Sequence, residues 1–138
     1  METIKSEVML LAPVEKVWDS FSDPKHVIKW FFVIQSQRCE SAVNELKEGG
    51  TFRYVMSTKN QGSGYDFTGT IKTFVPREHI VLVLTDGREV DFKFDAIDKD
   101  ATKFSMVFEP ETKNTHQTQK RFWDVVLSNF ERYVENLK

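Results

Sequence analysis

The sequence predicts an α+β fold in which a curved antiparallel sheet is covered by one long C-terminal helix. Three observations lead to this prediction. Between Gly49 and Phe108, apolar residues recur at every second position in successive runs separated by turn residues, which is typical of half-buried strands. After Asn114 the apolar spacing becomes that of an amphipathic helix. Two shorter helical stripes precede the sheet, so few helices are available to cover its apolar face.

The first predicted elements are a strand and two short helices. Residues 3–11 have the apolar density of a strand, and Pro13 suits the first position of the helix that follows. The apolar stripe of this helix consists of Val14, Val17, Trp18 and Phe21. Asp23 is a good cap residue and Pro24 a good first residue, so the two predict the start of a second helix. A further strand over residues 35–41 is only weakly indicated.

The sheet is predicted to continue as a series of hairpins. The predicted strands cover residues 51–57, 65–75, 79–85, 90–96 and 102–108. Residues 60–64 read as a flexible hairpin loop, and Asp86-Gly87 predicts a two-residue type I′ turn. Gly69 lies inside a strand, where it suggests a bend or a bulge.

The last predicted element is a helix of about twenty residues. Asn114, with Gln117 three positions later, resembles a capping box. The apolar stripe of the helix consists of Phe122, Val126, Phe130, Tyr133 and Leu137. No repeat or linker interrupts residues 1–138, so the sequence predicts a single domain.

Composition and charge exclude several classes of function. The 138 residues include 19 Lys and Arg against 21 Asp and Glu, a formal net charge of −2, which does not favour nucleic acid as a partner. Apolar runs are far shorter than the ~20 residues of a membrane-spanning helix. The N-terminus has no apolar signal region, and the single Cys39 cannot form an internal disulfide. We therefore expect a cytoplasmic protein that does not span a membrane.

Sequence motifs for cofactor or metal binding are not found. The pair Gly62-x-Gly64 lacks the later glycine of a dinucleotide fingerprint and lies in a predicted hairpin loop. His26, His79 and His116 are scattered over three different predicted elements and have no metal-ligand spacing. We therefore predict no cofactor, no metal site and no catalytic residue.

The reactive side chains also have simple structural interpretations. Cys39 could be a thiolate beside Arg38, but without a paired base it reads as a small buried hydrophobe. Glu89, Asp91 and Asp95 alternate with apolar residues on one strand, so we expect them to lie on its solvated face.

The aromatic residues carry the remaining signal, because Phe accounts for 12 of the 18 aromatics. Inward-facing rings either fill a core or surround a pocket for an apolar or aromatic ligand. The residues expected to line such a cavity are Trp30, Phe52, Tyr54, Phe67, Phe92, Phe104, Trp123 and Val126. Tyr54 and Trp123 could also offer a hydrogen bond to the ligand. The run Trp30-Phe31-Phe32 could form a mouth or a lid, with at least one ring partly exposed.

Several segments together resemble one known superfamily. They are Ala12-Pro13, Glu15–Trp18, Asp23-Pro24, Lys29-Trp30, Glu48–Arg53, Phe67–Ile71 and the closing Phe122-Trp123-Asp124 with Tyr133–Glu135. In order and spacing they are similar to the START-like helix-grip superfamily (SRPBCC), also called birch-pollen-allergen-like. Within it they look like the branch named after the activator of the heat-shock protein 90 ATPase. The resemblance covers nearly the whole chain.

The resemblance implies a sheet of six or seven strands gripping the C-terminal helix, with two short helices after the first strand and an internal cavity. Its members bind lipids and other apolar small molecules, and some are enzymes. The leading hypothesis is therefore a non-catalytic binding protein for a hydrophobic or aromatic small molecule, acting as a monomer or weak dimer.

Two alternatives stay open. A co-chaperone that modulates a heat-shock protein 90-type ATPase predicts an exposed apolar patch, for instance at Trp30–Phe32. An enzyme acting on an apolar substrate, the less favoured alternative, requires titratable groups in the cavity. His79, Asp66 and Glu109 are the candidates for such groups.

Overall fold

The computed structural model describes residues 3–32, 37–58 and 66–137. Within them, one antiparallel sheet and three helices confirm the predicted fold class. The strands are β1 (Ile4–Leu10), β2 (Gln37–Asn44), β3 (Thr51–Thr58), β4 (Asp66–Val75), β5 (His79–Leu84), β6 (Glu89–Asp98) and β7 (Ala101–Phe108). The helices are α1 (Val14–Ser22), α2 (Pro24–Trp30) and α3 (His116–Asn136). The predicted hairpin loop at 60–64, the strand start at Tyr65 and residues 35–36 lie outside the described residues.

The sheet has the strand order β1-β7-β6-β5-β4-β3-β2, with antiparallel pairing throughout. Strands β2 to β7 are therefore sequential hairpins, and β1 joins the far edge beside β7. The registers place Phe92 opposite Met106 and Phe94 opposite Phe104, all buried on the inner face. Among the helices of the described residues, none combines the length and the apolar character that crossing a membrane requires.

Helix α3 is hydrogen-bonded to β1 and to the residue that follows this strand. The Ser6 hydroxyl donates a hydrogen bond to the Asp124 carboxylate, and the backbone N–H of Leu11 donates to Glu135 Oε2 at 2.8 Å. Thr102, which is fully buried, donates to the carbonyl of Ala12 at 2.8 Å and so ties β7 to the entrance of α1. These contacts hold the long helix over the apolar face of the sheet.

The helix caps are partly as predicted. The Asp23 carboxylate accepts a hydrogen bond from the backbone N–H of Lys25 at 2.9 Å and Pro24 opens α2, which confirms that prediction. The predicted cap at Asn114 is wrong, because Thr115 is the N-cap of α3 and accepts from the N–H of Thr118. Pro13 is the N-cap of α1, one position before its predicted place.

Two predictions about glycines in the sheet are corrected. Gly87 alone in its turn has a positive φ, 93°, and Leu84 pairs with Arg88, so the loop has three residues and is not type I′. A type I turn closed by a glycine in the left-handed region produces this geometry. The irregular register of β4 lies between Ile71 and Thr73, not at Gly69. At Gly69 an added Cβ would lie 2.0 Å from the Val83 carbonyl oxygen, so the glycine permits a close backbone approach.

Two predicted inward-facing residues are exposed. Phe122, the first member of the predicted α3 stripe, is 44% exposed, and Ala96 of β6 is exposed as well. Val126 and Phe130 keep the predicted burial. The stripe fails at its first position because Phe122 borders an open groove instead of the sheet.

Candidate functional site

All eight residues predicted to line a cavity do surround one inner cavity between the sheet and α3. They are Trp30, Phe52, Tyr54, Phe67, Phe92, Phe104, Trp123 and Val126. The space they enclose is only about 20 Å³. A space of ~10–15 Å³ holds a single water molecule, so this interior has room for about one water and none for a small-molecule ligand as it stands. At this depth the rings fill the core.

The packing of Phe104 shows how the space is filled. Its side chain is 1% exposed, and its ring centroid lies 4.9 Å from that of Phe94, 5.0 Å from Phe130 and 5.5 Å from Phe21. Tilted and edge-on arrangements at these distances are the favourable geometries for aromatic pairs. The inner cavity is therefore a residual gap in a close-packed aromatic core.

The hydroxyl group of Tyr54 is hydrogen-bonded within this core. Its hydroxyl accepts a hydrogen bond from Asn44 Nδ2 at 3.2 Å, and the same amide nitrogen donates to the carbonyl of Ser22 at 2.9 Å. Burial raises the pKa of Tyr54 to about 12, so the phenol is neutral at physiological pH. Asn44 thus links β2 both to Tyr54 of β3 and to the end of α1.

A second and much larger space lies beside the inner cavity. This outer groove has a volume of about 720 Å³ and opens between the first turns of α3 and the adjoining ends of β2 to β7. Its floor consists of Phe31, Phe67, Trp123 and Val126. Leu84, Val90 and Phe108 form a wall, and Phe32 and Phe122 lie at the mouth.

The floor of the outer groove is also the roof of the inner cavity, because the same four residues line both spaces. Three of them form a ring cluster. The Phe31 and Phe67 centroids are 5.3 Å apart, those of Phe67 and Trp123 5.6 Å, and those of Phe31 and Trp123 6.0 Å. Of the eight predicted residues, Phe67, Trp123 and Val126 thus reach the groove, whereas the other five lie beneath its floor.

The rim of the outer groove is polar and carries six charged residues. They are Asp66, Asp86, Arg88, Glu109, Glu111 and Lys113. Burial alone would raise the pKa of Glu111, but hydrogen bonds from the N–H groups of Lys113 and Asn114 outweigh it and lower the pKa. Asp86 behaves similarly: the backbone and guanidinium of Arg88 outweigh burial and lower its pKa. Both groups are therefore ionised at neutral pH and are poor general acids.

Two buried side-chain amides hold the backbone segments on either side of the groove mouth. Gln119, 5% exposed, accepts from the N–H of Glu111 at 3.0 Å and donates to the carbonyls of Glu111 and Asn114. Asn129, 8% exposed, donates to the carbonyl of Phe32 at 2.8 Å. Neither residue was singled out from the sequence, where both look like ordinary polar positions of an amphipathic helix.

The expected aromatic patch at Trp30–Phe32 is wrong for its first two residues. Trp30 is 4% and Phe31 5% exposed, and the indole N–H of Trp30 donates to the carbonyl of Ser20 at 2.9 Å. Phe32 is half-buried at the groove mouth, which confirms that one ring of the three stays partly exposed. Trp30 is buried because it packs between Phe21 of α1 and Phe130 of α3. Phe31 is buried because it packs on Phe67 of β4 and Trp123 of α3.

Of the three titratable candidates for an enzyme, Asp66 and Glu109 border the outer groove, and His79 does not. His79 Nε2 lies 2.8 Å from Asp91 Oδ1 across two strands, and neither residue lines the outer groove. Asp66 lies at the groove rim and is bound by Arg53, whose Nη2 is 2.6 Å from Asp66 Oδ2. Glu109, also at the rim, accepts from the backbone N–H of Glu89 at 2.7 Å. In the described residues no group of three His, Cys, Asp or Glu side chains is placed to hold a metal ion.

The acids predicted to lie on a solvated strand face do so. Glu89 and Asp91 are half-buried by partners on neighbouring strands, and Asp95 is exposed. Lys72 Nζ of β4 lies 2.8 Å from Glu89 Oε2 of β6, so this exposed ion pair spans the intervening strand β5.

Cys39 is buried, as the sequence indicates, and its environment opposes reactivity. The side chain is 5% exposed, and burial raises the pKa of the thiol to about 11. We expect Ellman's reagent at pH 8 to modify Cys39 at least ~100-fold more slowly in the folded protein than in 6 M urea, because the thiolate is the nucleophile. Equal rates in both conditions, followed by absorbance at 412 nm, would contradict this assignment.

Comparisons with known proteins agree on one family. Residues 11–135 match the family model described as Activator of Hsp90 ATPase homolog 1-like protein. The solution structure of the AHSA1-like protein from Aeromonas hydrophila superimposes with a TM-score of 0.89 and 32% identity, covering 97% of this chain and 92% of that chain. A protein from Cytophaga hutchinsonii gives a TM-score of 0.83 and 33% identity over 97% and 92% of the two chains.

More distant matches share the fold alone. The solution structure of the Aha1 dimer from Colwellia psychrerythraea has a TM-score of 0.77 at 14% identity, with 99% of this chain and 98% of that chain covered. No curated protein matches the chain.

Proposed function

This chain belongs to the family of Activator of Hsp90 ATPase homolog 1-like proteins, and on that premise we propose that it binds a small hydrophobic or aromatic molecule without transforming it. The observation that carries the proposal is the outer groove of about 720 Å³. Binding sites for small molecules are typically clefts of ~300–1,000 Å³ with apolar walls and a few polar groups. A polar rim above an aromatic floor matches that description.

The proposed ligand lies on the floor formed by Phe31, Phe67, Trp123 and Val126. Trp123 is the central contact, because it is half-buried and its ring is within 6.0 Å of Phe31, Phe67 and Phe108. Its indole N–H has no hydrogen-bond partner among the described residues, which leaves a donor for a ligand oxygen or nitrogen. Of the eight residues predicted from the sequence, Phe67, Trp123 and Val126 therefore contact the ligand in this proposal.

The other five predicted residues support the floor from below. Trp30, Phe52, Tyr54, Phe92 and Phe104 pack under it around the inner cavity. A ligand that reached these residues would first have to displace the floor rings. We therefore infer that these five residues support the groove floor and do not contact the ligand.

A binding assay with an uncharged fluorescent probe tests the proposal. We expect N-phenyl-1-naphthylamine to bind the protein with a blue-shifted, enhanced emission, and Trp123→Ala to weaken its affinity about 5–30-fold, because a central aromatic contact contributes roughly 1–2 kcal/mol. The matched control is Phe74→Ala. Phe74 is also a half-buried aromatic, but it packs on Trp18 and does not line the groove.

Two results would contradict the proposal. One is an absence of probe binding to the wild-type protein at concentrations up to ~100 µM, far above the Kd expected for a genuine apolar pocket. The other is an equal loss of affinity in Trp123→Ala and Phe74→Ala, which would indicate a general loosening of the protein. The cytoplasmic location and the monomeric or weakly dimeric state stay predictions.

A co-chaperone role has less support from the molecule itself. The family description names activation of the Hsp90 ATPase, but the residues Trp30 and Phe31, expected to form an apolar docking patch, are buried. An enzymatic role would use the rim carboxylates, of which Asp86 and Glu111 have a lowered pKa. Binding without chemistry is the function that these observations favour.

A further inference from the structure

We propose that the outer groove selects apolar molecules whose polar end is a cationic amine and discriminates against the corresponding carboxylic acids. This inference rests on the proposed function and adds to it the chemical class of the ligand. It depends on the groove itself, on the charges around its mouth and on the groups to which those charges are already bound.

Acidic residues outnumber basic residues at the mouth of the outer groove. Four carboxylates, Asp66, Asp86, Glu109 and Glu111, stand against two cations, Arg88 and Lys113, so the rim has a net charge of −2. The whole chain has the same formal net charge, −2, spread over 40 acidic and basic residues. The negative charge is therefore concentrated where a ligand would place its polar end. A cleft with low-dielectric walls strengthens the field of such charges on a bound molecule.

The two cations are poorly placed to receive an acid. Arg88 is occupied by Asp86: its Nε lies 2.7 Å from Asp86 Oδ2, and its backbone N–H donates to Asp86 Oδ1 at 3.1 Å. A ligand carboxylate would have to compete with that neighbour at short range. Lys113 has no ion-pair partner among the described residues, but it is exposed, so its charge is screened by water and salt.

Glu109 is the carboxylate best placed to receive an amine. It follows Phe108 directly at the end of β7, so an acid stands next to the apolar wall of the groove. Glu109 Oε1 accepts from the N–H of Glu89 at 2.7 Å, which orients the side chain, while Oε2 has no hydrogen-bond partner among the described residues. Lys72, whose charge also acts on Glu109, is paired with Glu89 at 2.8 Å, and Arg88 is paired with Asp86 at 2.7 Å. Among the described residues, no cation therefore forms an ion pair with Glu109 itself.

Glu111 adds to the negative potential: among the described residues it forms no ion pair, and the charge of Arg88, which is paired with Asp86, acts on it only from a greater distance. Its two carboxylate oxygens accept hydrogen bonds from the backbone N–H groups of Lys113 and Asn114 and from the Asn114 amide. These donors are neutral dipoles, which stabilise the charge but do not cancel it. A bound ammonium would thus meet a hydrogen-bond acceptor at Glu109 and a second anion nearby.

Competition between matched ligands tests the selectivity. Decylamine, decanol and decanoate share one alkyl chain and differ in the charge of the head group at pH 7. We expect them to displace N-phenyl-1-naphthylamine with affinities in the order decylamine, decanol, decanoate, and the amine to bind about 10-fold or more tightly than the acid at low salt. In 0.5 M NaCl the ratio should shrink, because salt screens charges near the surface.

Charge-removing variants identify the residue responsible. Glu109→Gln should reduce the amine-to-acid ratio about 3–10-fold. Glu48→Gln is the matched control, since Glu48 is an exposed acid that does not line the groove. This control should leave the ratio unchanged.

The outcomes separate this inference from the function on which it rests. If the uncharged probe does not bind at all, the proposed function fails and the selectivity falls with it. If the probe binds but decanoate competes as well as decylamine, the groove binds apolar molecules and the charge selectivity is wrong. An unchanged ratio in Glu109→Gln would overturn the assignment of Glu109 as the acceptor.

Discussion

Phe104→Ala is expected to lower the free energy of unfolding by about 3–5 kcal/mol, the range for truncating a fully buried Phe. Its ring is 1% exposed and contacts Phe21, Phe92, Phe94 and Phe130 at centroid distances between 4.9 and 5.7 Å. Only about 20 Å³ of empty space lies beside it, so the neighbours cannot relax into the deletion without losing their own contacts. Urea denaturation followed by tryptophan fluorescence measures the change.

The result discriminates between a filled core and an open cavity. If Phe104 lined a space large enough for a ligand, truncating it would remove few contacts, and the loss would be ~1 kcal/mol or less. Phe122→Ala is the matched control, because Phe122 is 44% exposed and should cost less than about 1 kcal/mol. Should Phe104→Ala not fold, Phe104→Leu measures the same site with a smaller expected loss of ~1–2 kcal/mol.

Gly69→Ala is expected to destabilise the protein by about 2–4 kcal/mol through steric overlap in the middle of the sheet. A Cβ at Gly69 would lie 2.0 Å from the Val83 carbonyl oxygen and 2.9 Å from Leu84 Cα. Both are backbone atoms of β5, so relief requires the two strands to separate. Since Leu84 and Phe67 line the outer groove, we also expect weaker binding of the uncharged probe.

Gly49→Ala is the control for this substitution. Gly49 has a φ of +82°, and an added Cβ would have nothing within 4 Å. Gly49→Ala should therefore lower the free energy of unfolding only by the cost of a left-handed backbone, about 1 kcal/mol. A loss for Gly69→Ala no larger than that for Gly49→Ala, measured by thermal denaturation, would show that β4 and β5 are not so closely apposed.

The local elements of this fold could be predicted from the sequence, because they depend on nearest neighbours. Alternation places Phe92 and Phe94 on one face of β6 whatever the rest of the chain does. The start of α2 depends on two adjacent residues only, the N-cap Asp23 and the first helical residue Pro24. The errors lie where neighbouring residues offer the same local chemistry, as at the cap, which is Thr115 and not Asn114, and in the turn, where only Gly87 has a positive φ.

The site was predicted less completely than the fold. All eight residues expected around a cavity share one, because strand alternation and the helix stripe determine which side chains point inward. The residues that border the larger groove were mostly missed. Gln119 and Asn129 fix its mouth through hydrogen bonds to Glu111 and to Phe32, the latter 97 positions away in the chain. No local pattern marks such a contact.

By itself, the sequence determined the α+β architecture and the inward-facing aromatic set, which follow from the periods of strand and helix and from the excess of Phe. Only the tertiary structure decided that these rings close the interior to about 20 Å³ and that a space of about 720 Å³ lies outside them. The volume left between two elements depends on how far apart and at what angle they pack. That placement is set by contacts between distant residues such as Ser6 with Asp124, and not by the order of residues within either element.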